Sequence, residues 1–184
     1  MVLLAPSLRR SFLGAGGALF PPGKGGGESV AYGYKGKGIL IHTITEGNGL
    51  PLVNRTTAAN DSEREQVLSL LDSIKIQTGK PGRPRKRFSV LAADKGYDSH
   101  KKRAQLRKRG IRPQFPKRVY KSKKHRGRPI KNDTPRFQQE RCFAWYQRKY
   151  RRLVVRWERQ SRIFDGFLTL ATIHIWINKI LLVG

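Results

Sequence analysis

Phe88-Ser89-Val90-Leu91-Ala92-Ala93-Asp94 is the stretch that most constrains the fold. A short, mostly apolar run of this kind reads as a central strand buried on both faces. It ends on an acid, and acids are scarce around it. Residues 79–131 hold 21 of the 39 lysines and arginines but only two acids, Asp94 and Asp98.

That imbalance extends to the whole chain, whose 184 residues suit one domain and carry a net charge of +27. A polyanion is the partner such charge selects, through phosphate contacts and counterion release. Nucleic acid fits better than an anionic membrane, because no lysine-rich amphipathic helix with an aromatic face is present. The single cysteine, Cys142, excludes an internal disulfide and a cysteine-based zinc site. It reads as a small buried residue on a helix of a cytosolic protein.

Along the chain, residues 1–20 offer neither helical nor strand periodicity and read as a disordered or out-of-frame leader. The apolar run Val2 to Ala5 is too short for an export signal, and Arg9-Arg10 follows it instead of preceding it. Pro21 to Glu28 (PPGKGGGE) is a loop and lacks the phosphate-loop spacing. Gly38 to Thr45 and Leu50 to Thr56 predict a hairpin around Glu46-Gly47-Asn48-Gly49, with His42 packed inside the first strand. Ser62 can cap a helix reaching about Lys75, with Glu63 and Glu65 favourably placed in its first turn.

Ser99 to Arg109 predicts a basic helix stopped by Gly110, and Ile111 to Phe115 another short strand. One long helix is expected from about Pro135 to Arg159. Ile163 to Val183 is apolar but interrupted by Asp165, His174, Asn178 and Lys179, so it reads as a core helix and not as a membrane span. The basic connections around Arg83, Arg85, Lys86 and Arg87, and around Arg126 and Arg128, contain Gly-Arg-Pro cores that resemble an AT-hook.

This order of elements, with Asp94 after a strand and Glu140 on a helix, is that of part of an RNase H-like α/β domain. There, acids at strand ends and on a facing helix hold two divalent metals for phosphodiester chemistry. Magnesium needs hard oxygen ligands, which carboxylates supply. The plainer reading is that Asp94 caps its turn and Glu140 pairs with Arg136 or Arg141.

GKGGGE, YKGKGILIHTITEGNGLPL, LAADKGYDS, RGIRPQFPKR, RGRPI, ERCFAW and YRRLVVRWER resemble successive blocks of the DDE transposases of bacterial insertion sequences, specifically the insertion sequence five family. ADKGYDS and RxxxERxFxW are the specific parts. The resemblance implies an RNase H-like mixed sheet with flanking helices and makes Asp94 and Glu140 the second and third catalytic acids and metal ligands. It also places Arg136 as the signature arginine. Asp133 and Gln147 stand where the family has tyrosine and lysine. The implied cofactor is Mg2+ or Mn2+, two ions in an intact site. The implied partner is DNA, contacted through Arg83, Arg85, Lys86, Arg87, Lys95, Arg126, Arg128 and Arg136 in a nucleoid-associated cytoplasmic protein. Homodimerisation or association with a full-length transposase is also implied.

The family's first aspartate precedes the block matching Phe20 to Lys24, where Gly16-Gly17-Ala18-Leu19 stand here, and residues 1–20 contain no acid. The chain therefore resembles a C-terminal part of a transposase, residues 21–184, truncated or read in another frame ahead of it. Its sheet is expected to lack the first, central strand and to be marginally stable. A transposase copy without strand transfer is the leading expectation. A non-enzymatic basic nucleic-acid binder and a regulatory transposase fragment are the alternatives.

Overall fold

A computed structural model describes residues 13–75, 88–116 and 137–181. Its core is a six-stranded mixed sheet. The strands are β1 (Leu13–Leu19), β2 (Ala31–Gly33), β3 (Gly36–Glu46), β4 (Pro51–Ala58), β5 (Val90–Ala93) and β6 (Arg112–Gln114), ordered β2-β3-β1-β5-β6 with β4 also paired to β3. β1 runs antiparallel to β3 and parallel to β5, and β5 runs parallel to β6.

The β-branched run Ile39-Leu40-Ile41-His42-Thr43-Ile44-Thr45 makes β3 the most deeply buried strand, enclosed on both faces. Its side chains alternate between two cores. Ile44 joins Leu91, Ala93, Phe88, Leu106, Ile111 and Phe115 under α1 (Glu63–Ser73) and α2 (His100–Lys108). Ile39 and Ile41 join Cys142, Tyr146, Leu153, Phe164, Leu168 and Ile175 under α3 (Phe137–Lys149), α4 (Arg151–Val154) and α5 (Ser161–Leu181). The result is the mixed sheet with helices on both faces that an RNase H-like domain presents.

Two expectations are corrected. Residues 13–19, read as leader, form β1 at the centre of the sheet, so β3 and β5 do not lack a central partner. Glycine and alanine hide this strand from any periodicity test, and side chains pack closely on both of its faces. A Cβ at Gly14 would meet the Phe88 ring at 3.2 Å, and one at Gly17 would meet Gln139 Cγ at 3.2 Å. The single helix expected over 135–159 is instead α3 and α4, parted at Tyr150. The chain turns there so that the Arg156 amide can donate to the Pro22 carbonyl at 2.8 Å, docking the segment after α4 onto the loop after β1.

Smaller features agree with the sequence. Ser62 stands at the N-cap of α1, though its side chain makes no capping hydrogen bond. Gly110 ends the α2 region with φ 73°. His42 is buried, its Nε2 2.7 Å from Thr57 Oγ1, and burial pushes its pKa down to about 4. Asn54 of β4 donates to Tyr146 and Thr172, tying α3 and α5 to the sheet. The outward side of α5 exposes Ile163, Leu170, Ile173 and Ile177, yet no helix of the described residues is long and apolar enough to cross a membrane.

Candidate active site

Asp94 is held by the turn it begins. The next residues make a short 3-10 turn, Lys95–Tyr97, and the Asp94 carboxylate accepts from the Lys95 amide at 2.6 Å. The capping role considered for Asp94 is therefore real. Tyr97 sinks into the core beneath α1, while Arg64 donates to the Gly96 carbonyl and Arg103 pairs with Asp98 at 2.7 Å. Burial, with the Glu63 carboxylate beside it, pushes the Tyr97 hydroxyl pKa up. These contacts fix the backbone at the end of β5, leaving the Asp94 side chain on the surface.

Register supplies what lies beside it. Gly16 pairs with Ala93 across the parallel β1–β5 ladder, so the next residue, Gly17, stands level with Asp94. Side chains alternate along a strand. Leu91 and Ala93 belong to the core under α1 and α2, which sets Asp94 on the opposite face, the face α3 covers. Gly17 faces the same way, since a Cβ there would touch Gln139 Cγ at 3.2 Å and Phe143 Cε2 at 3.4 Å.

Gln139 anchors α3 at this point. It accepts from Thr45 Oγ1 at 3.2 Å and donates to the Thr43 carbonyl at 3.4 Å. Glu140 is its neighbour on the helix and is exposed. A second tie is the β3–β4 turn. Glu46, buried there, accepts from the Asn48 and Leu50 amides, and Arg141 donates to the Asn48 carbonyl. Burial raises the Glu46 pKa against the opposing effect of those hydrogen bonds. Cys142, on the inner side of α3, is fully buried and pushed up to about 12 by burial, so it takes no part in surface chemistry.

Asp94 is thus set on the α3 face, level with Gly17 and followed by Lys95, and Glu140 follows Gln139, the α3 residue that a Cβ at Gly17 would touch. Arg83, Arg85, Lys86, Arg87, Arg126, Arg128 and Arg136, with both Gly-Arg-Pro cores, lie outside the described residues. The resemblance marks Gly16 to Leu19 as the region of the family's first aspartate, and the β1 register narrows it to Gly17; Gln139 is not singled out from sequence. Among the described residues, the donor set does not fit a two-ion centre. Among the described residues, no group of three or more His, Cys, Asp or Glu side chains is placed to hold a metal ion. The position level with Asp94 is Gly17, which carries no side chain to donate.

Comparison with known proteins identifies the family. The transposase DDE domain family matches residues 18–176. A Burkholderia cepacia protein named "Putative transposase for insertion sequence element IS402" is 37% identical over 143 residues, covering 78% of this chain and 64% of that relative. The chain thus spans somewhat under two thirds of its relative's length. With most of its sheet and α3, α4 and much of α5 inside the matched region, the chain belongs to the transposase DDE domain family.

Proposed function

We propose that this chain binds insertion-element DNA as a transposase-fold protein whose acid site is one carboxylate short, and that it performs little or no phosphoryl transfer alone. The observation that carries this reading is Gly17, level with Asp94 and facing α3. DDE transposases work with a divalent metal. When bound in an intact centre, two such ions, Mg2+ or Mn2+, activate the attacking oxygen and stabilise the leaving oxygen of a phosphodiester. Asp94 and Glu140 are the acids this chain would contribute. They leave the centre incomplete, so no catalytic step is assigned to it.

DNA affinity needs no missing group. With a net charge of +27, the chain neutralises phosphates wherever its lysines and arginines meet a duplex. Lys95 beside Asp94, and the basic connections carrying Arg83, Arg85, Lys86, Arg87, Arg126, Arg128 and Arg136, are the assigned contacts. Pairing with a second copy or with an intact transposase on nucleoid DNA would make such a chain a regulator of transposition.

The test compares the unaltered chain with Asp94→Ala, Glu140→Ala and Gly17→Asp on duplexes carrying element ends, in Mg2+ or Mn2+. The unaltered chain should bind with an affinity that falls steeply with salt and leave the DNA uncut. Gly17→Asp should gain a Mn2+-dependent rise in Tm that is removed when Asp94→Ala is added. Metal-dependent cleavage by the unaltered chain, abolished in Asp94→Ala and Glu140→Ala, would overturn the reading.

A further inference from the structure

The β2–β3 hairpin outruns the rest of the sheet. β1 ends with Leu19 opposite Ile41, and β4 ends with Ala58 opposite Ile39. Beyond the Pro22–Gly38 bridge, the strand paired with β3 among the described residues is β2. Gly33 pairs with Gly36, which leaves Tyr34-Lys35 as a two-residue tip. The base of the tip is fixed. A Cβ at Gly33 would lie 2.1 Å from the Ala59 carbonyl oxygen, and Gly36 sits at φ 109°, where a side chain would be strained.

This stiff tip carries two aromatic rings that do no packing work. Tyr34 has 104% of its reference exposure and Tyr32 has 76%. Lys37 Nζ sits 5.9 Å from the Tyr32 ring centroid, covering one face of that ring. Lys35 and Lys37 are themselves exposed. Single exposed apolar residues are ordinary on protein surfaces. An exposed ring at a glycine-braced tip, between cations, has the composition of a stacking surface for nucleobases.

Position supports the same use. Gly17 pairs with Thr43, so the Asp94 level and the Tyr34-Lys35 tip are separated by the β3 residues from Thr43 back to Gly36. That is roughly 27 Å of strand, or about eight nucleotide steps along one DNA strand. The tip lies beyond Asp94, toward the end of the sheet to which β1 and β5 run. We propose that Tyr34 stacks on an unpaired base of DNA held along that end, with Lys35 and Lys37 on the flanking phosphates. The proposal rests on the DNA-binding reading of this chain.

Binding is measured on a blunt duplex and on the same duplex with a single-stranded overhang carrying 2-aminopurine. Tyr34→Ala should weaken binding to the overhang substrate by roughly 5- to 100-fold, the range of one lost base–aromatic stack. It should also abolish quenching of the 2-aminopurine and leave blunt-duplex affinity within about twofold. Tyr34→Phe should behave as the unaltered chain, since stacking needs the ring and not the hydroxyl. Equal losses on both substrates, no loss on either, or a loss in Tyr34→Phe would overturn the proposal. Failure of the unaltered chain to bind any DNA would instead sink the reading beneath it. Circular dichroism establishes that each variant is folded.

Discussion

β1 and β3 lie side by side at the centre of one sheet and solve burial in opposite ways. β3 fills both cores with Ile39, Ile41, Ile44 and a buried His42. β1 fills almost nothing, because its glycines bring Phe88 onto one face and Gln139 and Phe143 onto the other. One strand buries side chains, and the other lets its neighbours bury theirs against its backbone. Glycine weakens a strand by entropy and offers nothing to pack. β1 therefore depends on ladders from both sides, and β3 supplies the longer of them.

This division of labour breaks most severely from the β3 side. Ile41→Ala, at a site with no exposure, should cost about 4 kcal/mol in chemical denaturation. A loss below about 1 kcal/mol would mean that β3 is not the anchor. Next comes acid. Burial holds the His42 pKa near 4 against an ordinary 6.5. Above pH 6.5 both folded and unfolded states are neutral. As pH falls from 6.5 to 4 the unfolded chain takes a proton that the folded chain refuses, so stability drops, by up to about 3 kcal/mol. Glu46, raised by burial, works with the opposite sign, its contribution fading as pH rises through its folded pKa. The His42 share is therefore the flattening of the pH slope in His42→Gln. An unchanged slope would sink the assignment.

Smaller effects belong to β1. Gly14→Ala drives a methyl against the Phe88 ring and should cost about 1–2 kcal/mol. Gly17→Ala meets the flexible Gln139 Cγ, which can yield, and should cost less than about 1 kcal/mol. Thermal melts of both variants test the order; the reverse order would mean that α3 is clamped more tightly than the Phe88 side.

The same contrast explains what the sequence made legible. β3, β5, α1, α2 and α5 carry β-branched runs or helical spacing and could be placed from them. Asp94 and Glu140 stood out because acids are rare in a positive chain. β1 could not be read, since a strand of glycines has no period, and what makes it a strand is pairing with residues 22 to 77 positions away. The break at Tyr150 was equally hidden. No proline or glycine marks it, and the docking that follows it, the Arg156 amide on the Pro22 carbonyl, is a tertiary contact. The resemblance points to Gly16 to Leu19, and only the register, which is tertiary information, picks out Gly17 as the residue level with Asp94.

Gly17 also has a consequence in the currency of the gene. Every glycine codon becomes an aspartate or glutamate codon by exchanging its second base for adenine. On the reading proposed above, the hydrogen at Gly17 is therefore a single transition away from the missing carboxylate, at a position already level with Asp94 and beneath α3. The neighbours that would have to yield are Gln139 and Phe143, both side chains and neither part of the sheet's backbone. On that reading, silencing and reviving such a copy would be point events that leave the architecture standing.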